Sequence, residues 1–460
     1  MRTINGPKTL DWHTLINTDR AADTGREEDP LRQNFVQDAD RITFSAPFRR
    51  LANKTQVHPL YDHDHLRHRL IHSVEVASVG RTLGMKVGSW LETQGHIAKG
   101  EAAKVAGIVH AACLAHDIGN PPFGHSGEEA IGGWFKEKFA QNEGIFAQVA
   151  PEQRHEFTPL EGNAQGFRIV TRLEMYRNEG GMRLSNAVLG AFTKYPMTAS
   201  TSAALKADNG GRAPYVGAKK FGAFHSEYDT LKEVAQALGL PEETASDGSL
   251  WWRRHPLVYL VEAADDICYN IVDLEDGFSA GDLSLERVED LLSPLCRLTN
   301  RDQSAYTAYE RISYMRARAI GGAIDACVQA FIDNHSSILS GQFSGELIAV
   351  SDKGAAFEKI KQTAQERLFT APRKTKLEIQ GRNAIRTVLD GVLPVYAALA
   401  ENNWNSDGLP DYEAQLVRAL SLDLRGITDS YTALHGMSDF ITGMTDRYAL
   451  EAARMVSGAA

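Results

Sequence analysis

The chain has 460 residues, 43% of them hydrophobic and 23% charged, with a formal net charge of −10. That length allows one large domain or two to three of roughly 100–200 residues, and it buries a substantial core without disulfides or structural metal. The acidic balance argues against a dedicated nucleic-acid binder, which usually carries a basic domain, so any polyanion must be met by locally concentrated lysine and arginine.

Residues 1–40 are polar and turn-rich, with the run Arg26-Glu27-Glu28-Asp29-Pro30, and read as an irregular arm. The opening MRTINGPKTLDWHTL lacks the charged-then-apolar pattern of a secretory signal. No apolar stretch approaches the roughly 18–20 residues of a membrane span, so the expected location is cytoplasmic with no membrane partner. From Leu66 to Leu91, Leu70, Ile71, Val74, Ala77, Val79, Leu83 and Val87 recur at helical spacing. A second helix is predicted over Glu101–Ile118, stopped by Gly119-Asn120-Pro121-Pro122 because proline cannot continue the backbone ladder. Short helices follow around Gly127–Phe139 and Asn163–Glu174. Pro196–Gly217, rich in Ala, Ser, Thr, Gly and Asn, has no firm apolar period and reads as a long loop or lid.

Helical pattern resumes at Glu227–Leu238, Pro256–Leu274, Leu285–Leu295, Ala305–Asn334, Ala355–Leu368, Asn383–Ala400 and Tyr412–Ala419, with a last helix over Asp429–Met455. Strand-like alternation is sparse, and no repeat recurs at a fixed period. The expected fold is mostly α: an arm over 1–40, a core over 41–300 and a helical C-terminal part over 301–460. Cys113, Cys268, Cys296 and Cys327 sit in apolar, helix-like contexts without C-x-x-C pairing, which predicts reduced thiols.

The densest feature runs from Ala115 to Glu128 and contains His116-Asp117 followed by a glycine–proline break. An adjacent imidazole and carboxylate at a helix end can share one cation, and the break keeps the site open to water and substrate. Two neighbours do not hold a metal alone. His72 offers a third ligand, with His68 competing because the pair at i, i+4 shares a helix face. The stretch Glu262–Tyr269 offers a fourth, in Asp265. Such a mixed nitrogen and oxygen set suits Mn, Fe, Mg or Co rather than a thiolate zinc site.

The order H…HD…D resembles the HD-domain phosphohydrolases, and HDIGNPPFGHSGE (116–128) resembles their deoxyguanosinetriphosphate triphosphohydrolase branch. RRLANKTQVHPL (49–60), RHRLIHSVEV (67–76), EGNAQGFRIVTRLE (161–174), EAADDICYNIVDLEDG (262–277) and ITGMTDRYAL (441–450) are similar to further family strings, in family order. The resemblance implies an HD-type helical fold with a helical C-terminal extension. It implies metal-dependent hydrolysis of deoxynucleoside triphosphates, dGTP foremost, to deoxynucleoside and tripolyphosphate.

By the same resemblance the metal ligands fall on His72, His116, Asp117 and Asp265, the last chosen over Asp266 because it precedes the motif tyrosine by four positions. The catalytic pair falls on His125 and Glu128. Tyr269 lies against the deoxyribose where a 2′-hydroxyl would clash, and Asp273 and Gln56 take the 3′-hydroxyl. Arg69 reaches the phosphate nearest the metal, and Lys194, Tyr195 and Lys220 hold the outer phosphates. Val57, Asn120 and Asn163 complete the substrate contacts, while Phe369 and Glu378 meet the guanine base. The family also implies a homo-oligomer, dimers assembled into hexamers, with single-stranded DNA or a dNTP as effector. Residues Asn402–Asp411 stand, short and acidic, where other members carry a longer basic insert. Two rivals stay open: an HD-type nucleotidase or phosphodiesterase on other nucleotides, and a nucleotide-sensing or DNA-binding protein without turnover.

Overall fold

The computed structural model describes residues 10–20, 28–55, 67–175, 181–296, 305–368 and 372–458, and helix dominates them. The described parts of the arm, 10–20 and 28–40, are more ordered than its composition suggests. Trp12, Leu15 and Ile16 are buried, and helix α1 (Asn34–Phe44) begins within it. Buried Arg20 explains the docking, since it donates to the Asp38 carboxylate and to the carbonyl of Arg183.

Helices α2 (Arg69–Thr93) and α3 (Ala102–Ala115) form the central hairpin, close to their predicted bounds. Their register follows from small residues. A Cβ on Gly84 would stand 2.8 Å from the Ala106 Cα, and one on Gly88 the same distance from the Ala102 Cα, so the two backbones touch there. Helix α3 is apolar on nearly every face, as a helix enclosed by others must be. Ile71 and Val74, predicted on the inner face of α2, are exposed, because that face turns through His72, Val76, Val79 and Leu83 instead.

Helix α4 (Gly124–Gln141) follows the glycine–proline break, then α5 (Gly162–Arg168), which runs into a wide turn at Ile169–Leu173. Helix α6 (Asn186–Phe192), unpredicted, is buried along its length. The predicted loop at Pro196–Gly217 is a helix for much of its course, α7 (Ala199–Asp208), capped by the Thr198 side chain. Its buried face consists of Ala199, Thr201, Ser202 and Leu205, which gives too little apolar contrast to register as a period. A small antiparallel hairpin, β1 (Glu242–Thr244) with β2 (Leu250–Trp252), precedes the long helix α8 (Val258–Ser279).

Helices α9 (Ala308–Asp333) and α10 (Pro372–Glu401) follow, and α10 begins well before its predicted start. The single predicted terminal helix is two, α11 (Ser430–Thr442) and α12 (Asp446–Ser457), because Thr445 accepts from the Tyr448 amide and starts a new helix.

Apolar side chains gather in two clusters. The first runs from Leu10 through α2, α3, α8 and α9 to Leu368. The second joins α4 and residues 145–160 to α10, α11 and α12. The packing thus divides elsewhere than at residue 300. Ile118 belongs to the first cluster and Phe123 to the second, so the loop between them bridges the two. Among the described residues no helix is long and apolar enough to cross a membrane, and all four cysteines are free thiols.

Candidate functional site

The start of α2, the end of α3, the start of α4 and the middle of α8 converge on one cavity of about 480 Å³. His72 Nε2 lies 3.0 Å from Asp265 Oδ1. His116 Nε2 stands 3.7 Å from the same oxygen and 3.6 Å from Asp117 Oδ1. His116 Nδ1 donates to the Cys113 carbonyl at 2.7 Å, which fixes the ring so that Nε2 faces the carboxylates. That Nε2 is buried and has no hydrogen-bond partner. An orphaned imidazole nitrogen beside two carboxylate oxygens and a second histidine fits a divalent cation, and His72, His116 and Asp117 lie close enough together to share one. His68 is spent elsewhere, capping α2 by accepting from the Ile71 amide.

Charge is held tightly around this cluster. Arg69 donates to Asp117 Oδ2 at 2.8 Å, and the Asn120 amide donates to Asp117 Oδ1. Burial opposes ionisation of Asp117, but Arg69 and the two imidazoles outweigh it and hold the carboxyl below its ordinary range. Asp265 is likewise depressed, with His116, His72 and Lys194 overcoming burial. Its neighbour Asp266 goes the other way: burial pushes it up to about 7. The two adjacent aspartates are therefore unlike, and Asp265 is the one beside the histidines.

Across the cavity, helix α4 has already begun at His125. Its Nδ1 sits 2.7 Å from Glu128 Oε2, and Glu128 Oε1 accepts from the Gly162 amide at 2.9 Å. The Glu128 bond raises the His125 imidazole above its ordinary value. Burial works against ionisation of Glu128, yet the His125 bond outweighs it and leaves the carboxyl low. The pair is an imidazole hydrogen-bonded to a fixed carboxylate that favours its protonated form, with the ring itself exposed.

The remaining expected residues divide. Tyr195, Tyr269, Asn120, Asn163 and Glu378 line the cavity. Asp273 lies one turn beyond Tyr269, buried and absent from the lining. Gln56, Val57 and Phe369 lie outside the described residues. Lys194 and Lys220 also line the cavity, each resting on a buried glutamate: Lys194 on Glu262 at 3.0 Å and Lys220 on Glu161 at 2.9 Å. Fully buried Arg254 braces the first pair, donating to Glu262 at 3.0 Å and to the Lys194 carbonyl at 2.8 Å. Sequence reasoning missed Glu161, Glu262 and Arg254. A signal existed, since both glutamates open strings already singled out, each next to apolar or small residues that gave no reason for a charge.

An HD domain family profile matches residues 69–203, which carry α2 through the first half of α7 and three of the four clustered side chains, His72, His116 and Asp117. A deoxyguanosinetriphosphate triphosphohydrolase-like protein of Pseudomonas aeruginosa is 39% identical over 98% of this chain and 99% of its own. One from Synechocystis is 36% identical over 95% and 97%. A deoxyguanosinetriphosphate triphosphohydrolase of Yersinia pestis is 29% identical over 95% and 96%. HD domains are metal-dependent hydrolases, and the metal-type cluster falls where the profile matches. Identity near two-fifths over essentially whole chains, together with that profile, makes this protein a member of the deoxyguanosinetriphosphate triphosphohydrolase family of HD-domain phosphohydrolases.

Proposed function

We propose that the protein hydrolyses deoxynucleoside triphosphates, dGTP preferentially, to deoxynucleoside and inorganic tripolyphosphate with a divalent cation held by His72, His116, Asp117 and Asp265. The observation that carries this reading is one cavity that brings together the imidazole–carboxylate cluster, His125 with Glu128 behind it, and two lysines. The names of the Pseudomonas and Yersinia relatives support the substrate class.

When bound, the cation (Mn²⁺, Mg²⁺, Fe or Co) polarises a phosphoryl oxygen and makes water a better nucleophile. Water adds to the α-phosphorus as the bond to the 5′-oxygen breaks, and protonated His125 gives its proton to that departing oxygen. Glu128 holds His125 charged and aimed. Arg69 neutralises the α-phosphate, while Lys194 and Lys220 exchange their glutamates for the outer phosphates. Tyr269 packs against the sugar and excludes a 2′-hydroxyl, with Asp273 behind it. Glu378 accepts from the guanine amine and ring N–H, which only guanine presents together. Assembly into dimers and hexamers belongs to the same reading.

Product analysis with each dNTP and with GTP, in Mn²⁺ or Mg²⁺ and in chelator, tests it. The expected result is tripolyphosphate and deoxynucleoside, fastest from dGTP, absent with GTP and abolished by His116→Ala. Pyrophosphate or single phosphate as product overturns the reaction. Cleavage unaffected by Lys220→Ala favours a nucleotidase, and no turnover of any dNTP favours a sensing role.

A further inference from the structure

The loop from Asn120 to Phe123 joins the two halves of the site, and its geometry needs outside support. Phe123, directly before helix α4, has φ +62°, and Gly124, its first residue, has φ +58°, so the chain enters the helix through two left-handed residues. Left-handed backbone is costly for a residue with a Cβ and persists only where surroundings enforce it. No side chain at the helix start caps α4. The acceptor comes from 323 residues away: Asp446 Oδ1 accepts from the Phe123 amide at 2.9 Å.

The other oxygen of Asp446 accepts from the Thr55 amide at 3.1 Å and from the Thr55 hydroxyl. Thr55 pairs as an isolated bridge with His68, and the Arg69 amide donates to the Lys54 carbonyl at 3.1 Å. Lys54 Nζ in turn donates to the Asn120 carbonyl at 2.6 Å and to the Thr442 carbonyl at 2.7 Å. One buried carboxylate on α12 therefore ties the strand beside the His72 helix to the first residue before the His125 helix. Asp446 is 2% exposed and stands outside the cavity.

We infer that Asp446 is a positioning residue for the His125–Glu128 pair, acting through the Phe123 amide to hold the first turn of α4. Glu128 has a second anchor in the Gly162 amide. His125, in the first turn, depends on that turn being formed. Losing the Asp446 acceptor frays the turn and carries His125 off Glu128, while the metal-type cluster on α2, α3 and α8 stays in place. The inference rests on His125 and Glu128 being the proton-handling pair proposed above.

Asp446→Ala and Asp446→Asn, in the full-length protein with Mg²⁺, test it by two readouts. Steady-state kinetics with dGTP should show kcat lowered by about 100-fold in Asp446→Ala with KM within about threefold, as expected for a misplaced reacting group. Histidine NMR should show the His125 titration moving down toward the ordinary histidine value while buried His255 keeps its depressed one, a combination that unfolding does not produce. Asp446→Asn keeps one acceptor for the Phe123 amide, so it should lie between the wild type and alanine on both readouts. If the alanine variant does not fold, the asparagine variant decides alone: a shifted His125 titration sustains the inference, and a wild-type titration overturns it. A folded Asp446→Ala with unchanged kcat and unchanged titration also overturns it. Should the wild type cleave no dNTP, the proposed function fails, and the titration, which needs no substrate, still decides the role of Asp446.

Discussion

His125 has one strong partner and three opponents. The Glu128 bond raises its pKa, while burial and, after it, the charges of Lys220 and Arg69 lower it. A group acting as proton donor works while protonated, so the rate falls as pH rises through its folded-state pKa. Glu128→Gln removes the carboxylate charge and lowers that pKa. The falling limb of kcat against pH should therefore move to lower pH, with kcat reduced by about 100-fold. A limb that stays in place in this variant assigns the ionisation to another group. At this scale the sequence was informative where ligand chemistry is local. His116, Asp117, His125 and Glu128 sit within fourteen consecutive residues, and all of them reach the site. Pairings made over distance were not legible: Glu161 and Asp446 stand in strings already singled out, but nothing in the sequence joins them to Lys220 and Phe123.

At the scale of elements, the α2–α3 hairpin sets the distance between His72 and His116. Gly80, Gly84 and Gly88 face Cys113, Ala106 and Ala102 along a seam with no room for a methyl group. Gly84→Ala should force backbones apart, because its Cβ would meet the Ala106 Cα and not a movable side chain. The expected cost is about 1–3 kcal/mol in denaturant unfolding, together with weaker Mn²⁺ binding as His72 leaves His116. Unchanged stability and metal affinity in this variant would remove the seam from the explanation. Most helices were legible because their apolar residues recur on one face against polar neighbours. Helices α6 and α7 were not, since a helix buried all round, or faced with Ala, Ser and Thr, has no such contrast.

At the scale of the whole molecule, two histidines fasten the N-terminal segment to the core, and both do so as neutral rings. His255 donates through Nε2 to the Leu15 carbonyl at 2.9 Å while its Nδ1 accepts from the Leu257 amide, and burial pulls its pKa down to about 4. His335 accepts from the Trp12 indole at 2.9 Å, and burial with His96 beside it brings it to about 4 as well. A depressed folded-state pKa contributes stability that is present above the unfolded value near 6.5 and is lost as pH falls toward 4. Buried His255 alone carries about 3 kcal/mol of that loss. The thermal midpoint should drop steeply between pH 6.5 and 4, and Trp12 fluorescence should change with it. A flat profile across that window would show that neither ring is held neutral.

The glutamates under Lys194 and Lys220 have a consequence for traffic through the cavity. Its wall carries five acidic side chains (Asp117, Glu262, Asp265, Asp266 and Glu378), of which Asp266 is raised to about 7, against Arg69, Lys194, Lys220 and the raised His125 imidazole. A triphosphate approaching without a divalent ion meets the ionised Asp117 and Asp265 side by side, so on the proposed reading the ion is a condition of admission to that corner as well as of chemistry. Once the nucleoside has been cut away, Glu161 and Glu262 remain within reach of the two lysines as resident rivals for them. On the proposed reading, tripolyphosphate, stripped of the sugar and base that anchored it, then competes against neighbours that never diffuse away.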